Sequence, residues 1–320
     1  METGTTKQIS QTDSKTGLTT YIRAMRPEHW VKNLLVLAAF FFALGDEKQA
    51  AVLLPLWLSA CRIVGAAVSF CVVSSAIYLL NDIKDLELDR AHPQKRLRPI
   101  AAGLVPLSHA WALAVALLAI GIAGSVLLSP YLAAVVVAYV LLQALYTLLL
   151  KKVAMLDVLV IASGFVLRAL AGAETLTVQI SPWLVLCTFL LALFLGFCKR
   201  RHEKIMIADN VSENRPSLIN YNERLLDQVI GITAAATIVS YSVYTLSRDT
   251  VDKFGTSWLG FSIPFVIFGI FRYLDLVYRH ERGNKPERLL LTDRPLFISI
   301  LLYALVVLIV ALKAHFRSSV

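Results

Sequence analysis

Long apolar runs separated by short polar connections follow one another along most of the chain. A run of about 20 apolar residues is long enough to cross the hydrocarbon core of a bilayer as an α-helix. Proline stands near the start of several runs, which suits the first helical turn. We therefore predict an all-α polytopic membrane protein, a bundle of nine transmembrane helices at 30–44, 56–80, 107–127, 130–150, 155–173, 182–200, 226–247, 258–278 and 295–313.

The composition agrees with this pattern. Of the 320 residues, 57% are hydrophobic, and the mean hydropathy is +0.67. A soluble protein is about half apolar and lacks such long runs. Because the bilayer solvates apolar surface, one bundle can absorb the whole length, and we predict a single membrane-embedded domain over 21–320. Residues 1–20 are polar and are predicted to form a disordered cytoplasmic segment.

The positive charge is distributed unevenly between the two sides of the predicted bundle. A net charge of +9 could indicate a nucleic-acid partner, but 23 of the 31 Lys and Arg residues fall on the side of the N-terminus. The positive-inside rule then puts the N-terminus in the cytoplasm and the C-terminus outside. We expect a membrane protein with no nucleic-acid partner and with its chemistry on the cytoplasmic side.

Three carboxylates end the second predicted helix. At about 100° per residue, Asp82, Asp85 and Asp89 fall within roughly 60° of each other. Like charges that converge at a membrane-embedded helix end repel each other and lose hydration, so they need a cation. Oxygen ligands at this spacing suit Mg²⁺, which shares its shell with water and substrate phosphates. A solvated acidic helix end is the alternative, but the pattern favours a magnesium site at these three residues.

A basic run follows the carboxylates directly. Lys95, Arg96 and Arg98, constrained by Pro93 and Pro99, can reach an anion that is held on the metal. Arginine recognises phosphate with two parallel hydrogen bonds, and lysine acts as a mobile point charge. Because a cytoplasmic loop is basic in any case, the proximity of the run to the carboxylates is stronger support for an anion-binding role than its charge alone.

Two further cytoplasmic segments carry cations at the membrane boundary. Lys32 and Asn33 open the first span, where phosphate binding and simple snorkelling both fit the sequence, and Arg26 before them is typical of an inside anchor. Tyr146 and Lys151 leave the membrane together after the fourth span. An ordinary snorkelling lysine is the alternative to a binding role there.

The sixth span ends in three consecutive cations, Lys199, Arg200 and Arg201, followed by Glu203. Such a cluster at the rim of a bundle favours a phosphate or pyrophosphate clamp over a solvated face. A salt bridge between Lys199 and Glu203, four residues apart, is also possible.

Arg168 is a charge at membrane depth, in the fifth span. A buried arginine is costly there and faces a partner or a cavity. Glu174 is near enough in sequence to be a structural partner, and the functional alternative is that Arg168 lines the substrate cavity.

The motifs resemble those of the UbiA superfamily of intramembrane prenyltransferases. The similar stretches are Asn81-Asp82-x-x-Asp85-x-x-x-Asp89, His92-Pro93-x-Lys95-Arg96-x-Arg98-Pro99, and Tyr146 with Lys151. The resemblance covers roughly residues 22 to 313, including the nine-helix layout. It implies that Asn81 belongs to the substrate site together with the aspartates.

The sixth-to-seventh connection departs from the quinone-type and haem-type members, which carry a second aspartate-rich motif there. Lys199-Arg200-x-x-Glu203 stands in its place, and with Lys32-Asn33 and Arg168 this is similar to the polyprenyl-phosphate phosphoribosyltransferase branch. The resemblance implies transfer of 5-phosphoribose from phosphoribosyl pyrophosphate to a decaprenyl-phosphate-like lipid, with Mg²⁺ and release of pyrophosphate. It also implies a bacterial inner membrane and a possible downstream phosphatase in cell-wall or glycoconjugate precursor synthesis.

Two other functions compete with this one. An aromatic or quinone prenyltransferase of the same superfamily would need the second aspartate-rich motif. A lipid transporter would show inverted repeats or charges near mid-membrane, whereas the charges here cluster at one face.

Overall fold

The computed structural model describes residues 17–44, 55–179, 181–208, 218, 220–279, 289–290 and 292–318, and within these ranges the chain is helical without a β-strand. The α-helices are α1 (Leu18–Ala24), α2 (Ala38–Leu44), α3 (Leu56–Lys84), α4 (Leu86–Ala91), α5 (Leu107–Leu128), α6 (Pro130–Leu148), α7 (Leu156–Leu176), α8 (Pro182–Ala208), α9 (Glu223–Leu246), α10 (Arg248–Phe254), α11 (Ile263–Arg279) and α12 (Arg294–Ser318). Turns of 3-10 helix lie at Pro27–Leu37, Lys95–Leu97, Leu150–Lys152 and Trp258–Ser262.

The predicted multi-pass helical bundle is confirmed. Eight helical stretches in the described ranges are long and apolar enough to cross a membrane, and they coincide with the second to ninth predicted spans. Of the segment predicted to be disordered, residues 1–16 lie outside the described residues, and residues 18–20 form the first turn of α1.

The first predicted span has a different geometry from the others. It is a 3-10 helix over Pro27–Leu37, followed by the short helix α2. Arg26, just before it, has a left-handed backbone with φ 54°, which is unusual for a residue other than glycine. The segment packs tightly on α7 at Gly172, where an added Cβ would lie 2.0 Å from the Val36 carbonyl oxygen. Glycine at that position therefore allows the two backbones to meet.

The interior contains two large apolar clusters. One joins α7, α8, α9 and α11 around Phe194 and Tyr273, and the other joins the 3-10 segment, α3 and α6 around Phe70 and Tyr139. Helix α3 is the most buried of the long helices, whereas α5 and α12 expose many apolar side chains. Apolar surface of this kind suits contact with lipid tails.

Charged residues of several described connections lie at one end of the bundle, which we call the polar end. Tyr21 of α1 bonds His109 at the start of α5, and Lys151 after α6 contacts Asp85 after α3. The last described turns of α12 lie at the opposite end, where the Lys313 ammonium sits over the Trp258 ring. The first and last described helices therefore end at opposite ends of the bundle.

Candidate active site at the polar end

The segment that carries the carboxylates is not one continuous helix. α3 ends at Lys84, Asp85 leaves the helical region with φ −92° and ψ 14°, and α4 begins at Leu86. The backbone N–H of Asp89 still donates to the Asp85 carbonyl oxygen, so the chain keeps its direction through the break. The prediction of three carboxylates on one helical face therefore differs from the structure at Asp85.

Asp82 and Asp89 are buried and share one cation. Arg98 Nη1 lies 3.3 Å from Asp82 Oδ1 and 2.5 Å from Asp89 Oδ2. The Arg26 guanidinium also contacts Asp82 Oδ1, and it lies over the Tyr78 ring. Two arginines from different segments thus balance this pair of carboxylates.

Asp85 faces a different partner. Its two oxygens accept from the Lys151 ammonium at 2.7 and 3.0 Å. Lys84 donates to the Thr147 carbonyl oxygen at 2.9 Å, and the Thr147 hydroxyl donates to the Asn81 side-chain oxygen. These contacts join the end of α3 to the end of α6, and they orient Asn81. We call Asp82, Asp85 and Asp89 the acidic site.

The acidic site has the chemistry of a site for a hard divalent cation. Among the described residues, no group of three His, Cys, Asp or Glu side chains lies close enough together to hold a metal ion as it stands. Asp82 and Asp89 do accept from the same nitrogen atom, so a single positive centre can touch both carboxylates. Carboxylate oxygens are the ligands that Mg²⁺ prefers, and the donor atoms present here are of that kind.

Of the basic run after α4, Arg98 is the residue that the structure places on the carboxylates. The Lys95 backbone N–H donates to His92 Nδ1 at 3.2 Å, as does that of Gln94 at 3.1 Å, so the buried imidazole shapes this turn. The Lys95 side chain is half-buried and Arg96 is exposed at the same end.

A second charged cluster lies where α7 begins and α8 ends. Arg200 donates from Nε to Asp157 Oδ2 and from Nη1 to Glu203 Oε2, each at 2.6 Å. The Tyr221 hydroxyl donates to Asp157 Oδ1 at 2.6 Å. Burial, and then the hydrogen bond to the Asp157 carboxylate, raise the pKa of the Tyr221 phenol above its usual range. We call Arg200, Asp157, Glu203 and Tyr221 the buried arginine cluster.

Lys199, Arg200 and Arg201 were predicted to form a phosphate clamp together, but in the structure their side chains have different surroundings. Arg200 points inward and is paired with two carboxylates, because successive helical residues face different directions. Arg201 pairs with Asp227 at 2.7 Å and lies over the Tyr278 ring. Lys199 stays partly exposed, 3.9 Å from Glu203, which agrees with the predicted salt bridge.

Arg168 is braced inside the bundle and does not pair with Glu174. Its side chain donates to Asn33 Oδ1 at 2.8 Å, to the Gly164 carbonyl oxygen at 2.9 Å and to the Tyr139 hydroxyl at 2.8 Å. Six residues turn a helix by about 600°, so Glu174 projects from a different face of α7. The buried charge is satisfied by these polar groups and by the Tyr139 ring below it.

The other predicted site residues of the first and fourth spans lie around these networks. Asn33 is buried, and its amide donates to Ser74 Oγ at 3.1 Å, so it secures the 3-10 segment. Lys32 and Tyr146 are half-buried. Tyr146 lies within electrostatic reach of Arg200.

The sequence did not indicate two residues that form ion pairs in the structure, Arg26 and Asp157. Arg26 was assigned to membrane anchoring, although it contacts Asp82. The pairing of Asp157 with Arg200 was not predicted, although a lone acid at the start of an apolar span indicates a buried partner. In both cases the partner lies more than 40 residues away along the chain.

Comparisons with known proteins agree with these motifs. The decaprenyl-phosphate phosphoribosyltransferase of Mycolicibacterium smegmatis is 38% identical over 286 residues, with 87% of each chain covered. The protein of the same name from Mycobacterium tuberculosis is 37% identical over 276 residues, which cover 86% of this chain and 88% of that one.

The fold is similar to that of a UbiA homologue from Archaeoglobus fulgidus solved with GPP and Mg²⁺ bound. The TM-score is 0.63 at 17% sequence identity, and the match covers 94% of this chain and 100% of that chain. Residues 33–301 match the UbiA prenyltransferase family. The predicted resemblance is confirmed: this chain belongs to the UbiA prenyltransferase family.

Proposed function

We propose that this protein transfers 5-phosphoribose from phosphoribosyl pyrophosphate to a polyprenyl phosphate and releases pyrophosphate. The observation that carries the proposal is the 38% identity, over 87% of both chains, to a relative named decaprenyl-phosphate phosphoribosyltransferase. The site supports it, because a donor with a phosphate and a pyrophosphate is strongly anionic and the polar end is rich in cations.

Asp82, Asp89 and, after it leaves Lys151, Asp85 would hold Mg²⁺. The bound ion would balance the charge of the departing pyrophosphate. Arg26, Arg98 and Lys151 now contact these carboxylates. Their half-buried side chains can turn to phosphate oxygens of the donor, for which arginine is well shaped.

The acceptor needs no general base. A phosphate oxygen of the lipid, which is already an anion, forms the new bond to ribose C1. The bond from C1 to the pyrophosphate oxygen breaks, and pyrophosphate leaves with the electron pair. The chain's task is to orient the two substrates and to stabilise charge, which is where positioned cations contribute most.

Lipid-facing helices would receive the polyprenyl tail while its phosphate reaches the polar end. The product keeps the 5-phosphate of the donor, so a downstream phosphatase is the expected partner reaction. Phosphoribosyl pyrophosphate is a cytosolic metabolite, and the polar end should therefore face the cytoplasm of a bacterial inner membrane.

The activity is tested with purified protein, phosphoribosyl pyrophosphate, decaprenyl phosphate and Mg²⁺, with the lipid product read by mass spectrometry. We expect a phosphoribosylated lipid and equimolar pyrophosphate. A protein that ignores this donor and instead joins a polyprenyl diphosphate to an aromatic acceptor would overturn the proposal.

The orientation is tested by cysteine labelling in cells after the four native cysteines have been replaced. A label at Gln94, exposed at the polar end, should require a reagent that enters the cytoplasm. A label at Ser257, exposed at the opposite end, should form from outside. The sixth-to-seventh connection, with Ser212, is a further labelling position that lies outside the described residues. Labelling of Gln94→Cys from outside would contradict both the orientation and the use of a cytosolic donor.

A further inference from the structure

Asp157 is the residue that connects Arg200 and Tyr221 within the buried arginine cluster. Its side chain is almost fully buried, and its two oxygens accept from different parts of the chain, Oδ2 from Arg200 on α8 and Oδ1 from the Tyr221 hydroxyl. It stands in the first turn of α7, where the helix dipole favours a negative charge. One carboxylate thus connects the start of α7 with Arg200 on α8 and with Tyr221.

Tyr221 links Asp157 to the connection between α6 and α7. Its hydroxyl donates to Asp157 and accepts from the Met155 backbone N–H at 2.7 Å. The same connection carries Lys151, the partner of Asp85. The acidic site and the buried arginine cluster therefore hold the two ends of one short stretch of chain, residues 151–157.

Arg200 links Asp157 to the charged residues at the rim of the bundle. It bridges Asp157 and Glu203, and the other oxygen of Glu203 lies 3.9 Å from the Lys199 ammonium. If Asp157 lost its charge, Arg200 would keep Glu203 as its ionic partner and would draw that carboxylate inward. The carboxylate beside Lys199 at the rim would then shift away from the ammonium group.

We infer that Asp157 is a positioning residue for the donor: through Arg200 and Glu203 it places Lys199, and through Tyr221 it places Lys151, to receive the pyrophosphate-bearing substrate. The inference deepens the proposed function and rests on it. Asp157 itself does not touch the reacting atoms in this arrangement, because it is enclosed by Arg200 and Tyr221.

Asp157→Asn is the direct test, since it keeps the shape of the side chain and removes the charge. Asp227→Asn is the matched control, because Asp227 also accepts from an arginine of α8 and from a tyrosine hydroxyl, but its side chain is 43% exposed. Steady-state kinetics gives KM for each substrate and kcat. Calorimetry with inorganic pyrophosphate and Mg²⁺ gives an affinity that needs no turnover, and a melting curve reports folding.

We expect Asp157→Asn to raise KM for phosphoribosyl pyrophosphate and Kd for pyrophosphate by about tenfold, the size of one lost charge-assisted contact. The lipid KM should change less than about twofold and kcat less than about threefold. Asp227→Asn should leave all of these near the wild-type values. If Asp157→Asn does not fold, Tyr221→Phe keeps the charge and should raise the same two constants by a smaller factor.

Equal behaviour of Asp157→Asn and Asp227→Asn would overturn the inference, as would a parallel rise of both substrate KM values with a lower melting temperature. If the wild type binds pyrophosphate but does not use phosphoribosyl pyrophosphate, the proposed function fails, and the pyrophosphate affinities alone decide the inference. A wild type that does not bind pyrophosphate with Mg²⁺ would overturn both.

Discussion

The acidic site and the buried arginine cluster are built from the same ionic groups in different surroundings. At the acidic site the cations come from connections and remain partly in solvent, with Arg98 29% and Lys151 21% exposed. In the buried arginine cluster the Arg200 side chain is 2% exposed, and its partners come from helices. A cation that is partly in solvent can exchange partners at lower cost, whereas breaking a pair in which both members are buried leaves unpaired charge in the interior. The first site therefore suits substrate exchange, and the second suits fixed positioning.

The largest effect should follow from Asp82→Asn, which removes one charge from the site that exchanges partners. We expect the transfer rate to fall about a thousandfold and the Mg²⁺ dependence to weaken, because both depend on that charge. Asp89→Asn should approach this loss, and Asp85→Asn should lose less, since its carboxylate is held by Lys151.

The control for this prediction is Asp252→Asn, an exposed carboxylate at the opposite end of the bundle. It should keep wild-type turnover. Near-normal activity of Asp82→Asn at limiting Mg²⁺ would show that the acidic site has no catalytic role, and the contrast with the buried arginine cluster would then fail.

Arg200→Met tests the other half through stability. Because it leaves Asp157 and Glu203 buried without their shared cation, we expect a loss of about 3–5 kcal/mol in the free energy of unfolding. Arg98→Met removes a cation that is 29% exposed, and Arg26 remains on Asp82, so we expect a smaller loss of stability than in Arg200→Met, together with impaired transfer. Denaturant unfolding in detergent measures both. Equal losses of stability in the two variants would show that the two clusters do not differ as their burial indicates.

Lys199→Ala should have the smallest effect of the three. Lys199 is 38% exposed beside the buried cluster, so its loss should leave folding intact and raise KM for phosphoribosyl pyrophosphate about tenfold, or about 1.4 kcal/mol. The lipid KM should move less. Arg201→Ala is the comparison variant, since Arg201 is committed to Asp227 and Tyr278. A larger rise of this KM in Arg201→Ala would move the donor contact to the neighbouring residue.

The apolar pattern predicted the helices well because residues within or next to each run mark where the helix begins and ends. Pro106 precedes α5, and the predicted span 107–127 differs from the observed helix by one residue at its end. The break at Asp85 has no such local signal, since neither proline nor glycine stands there. It coincides with the contact to Lys151, 66 residues away, which a local pattern does not contain.

The site was predictable in part for the same reason. Periodicity indicated that Asp82 and Asp89 belong together, and the structure joins them through Arg98. Periodicity also says which residues share a helix face, but it does not say which neighbouring helix that face meets. The pairing of Arg200 with Asp157 depends on how α7 packs on α8, and no feature within either helix specifies it.

The 3-10 segment before α2 also determines how far the chain reaches. Eleven residues of 3-10 helix and seven of α-helix rise about 32 Å together, against about 27 Å for a continuous α-helix of the same length. The hydrocarbon core of a bilayer is about 30 Å thick, a length that the observed winding reaches and a continuous α-helix of the same residues does not. Asn33 and Val36 fix the segment to α7. Rewinding it as α-helix would shorten the stretch before that anchor and draw Arg26 away from Asp82.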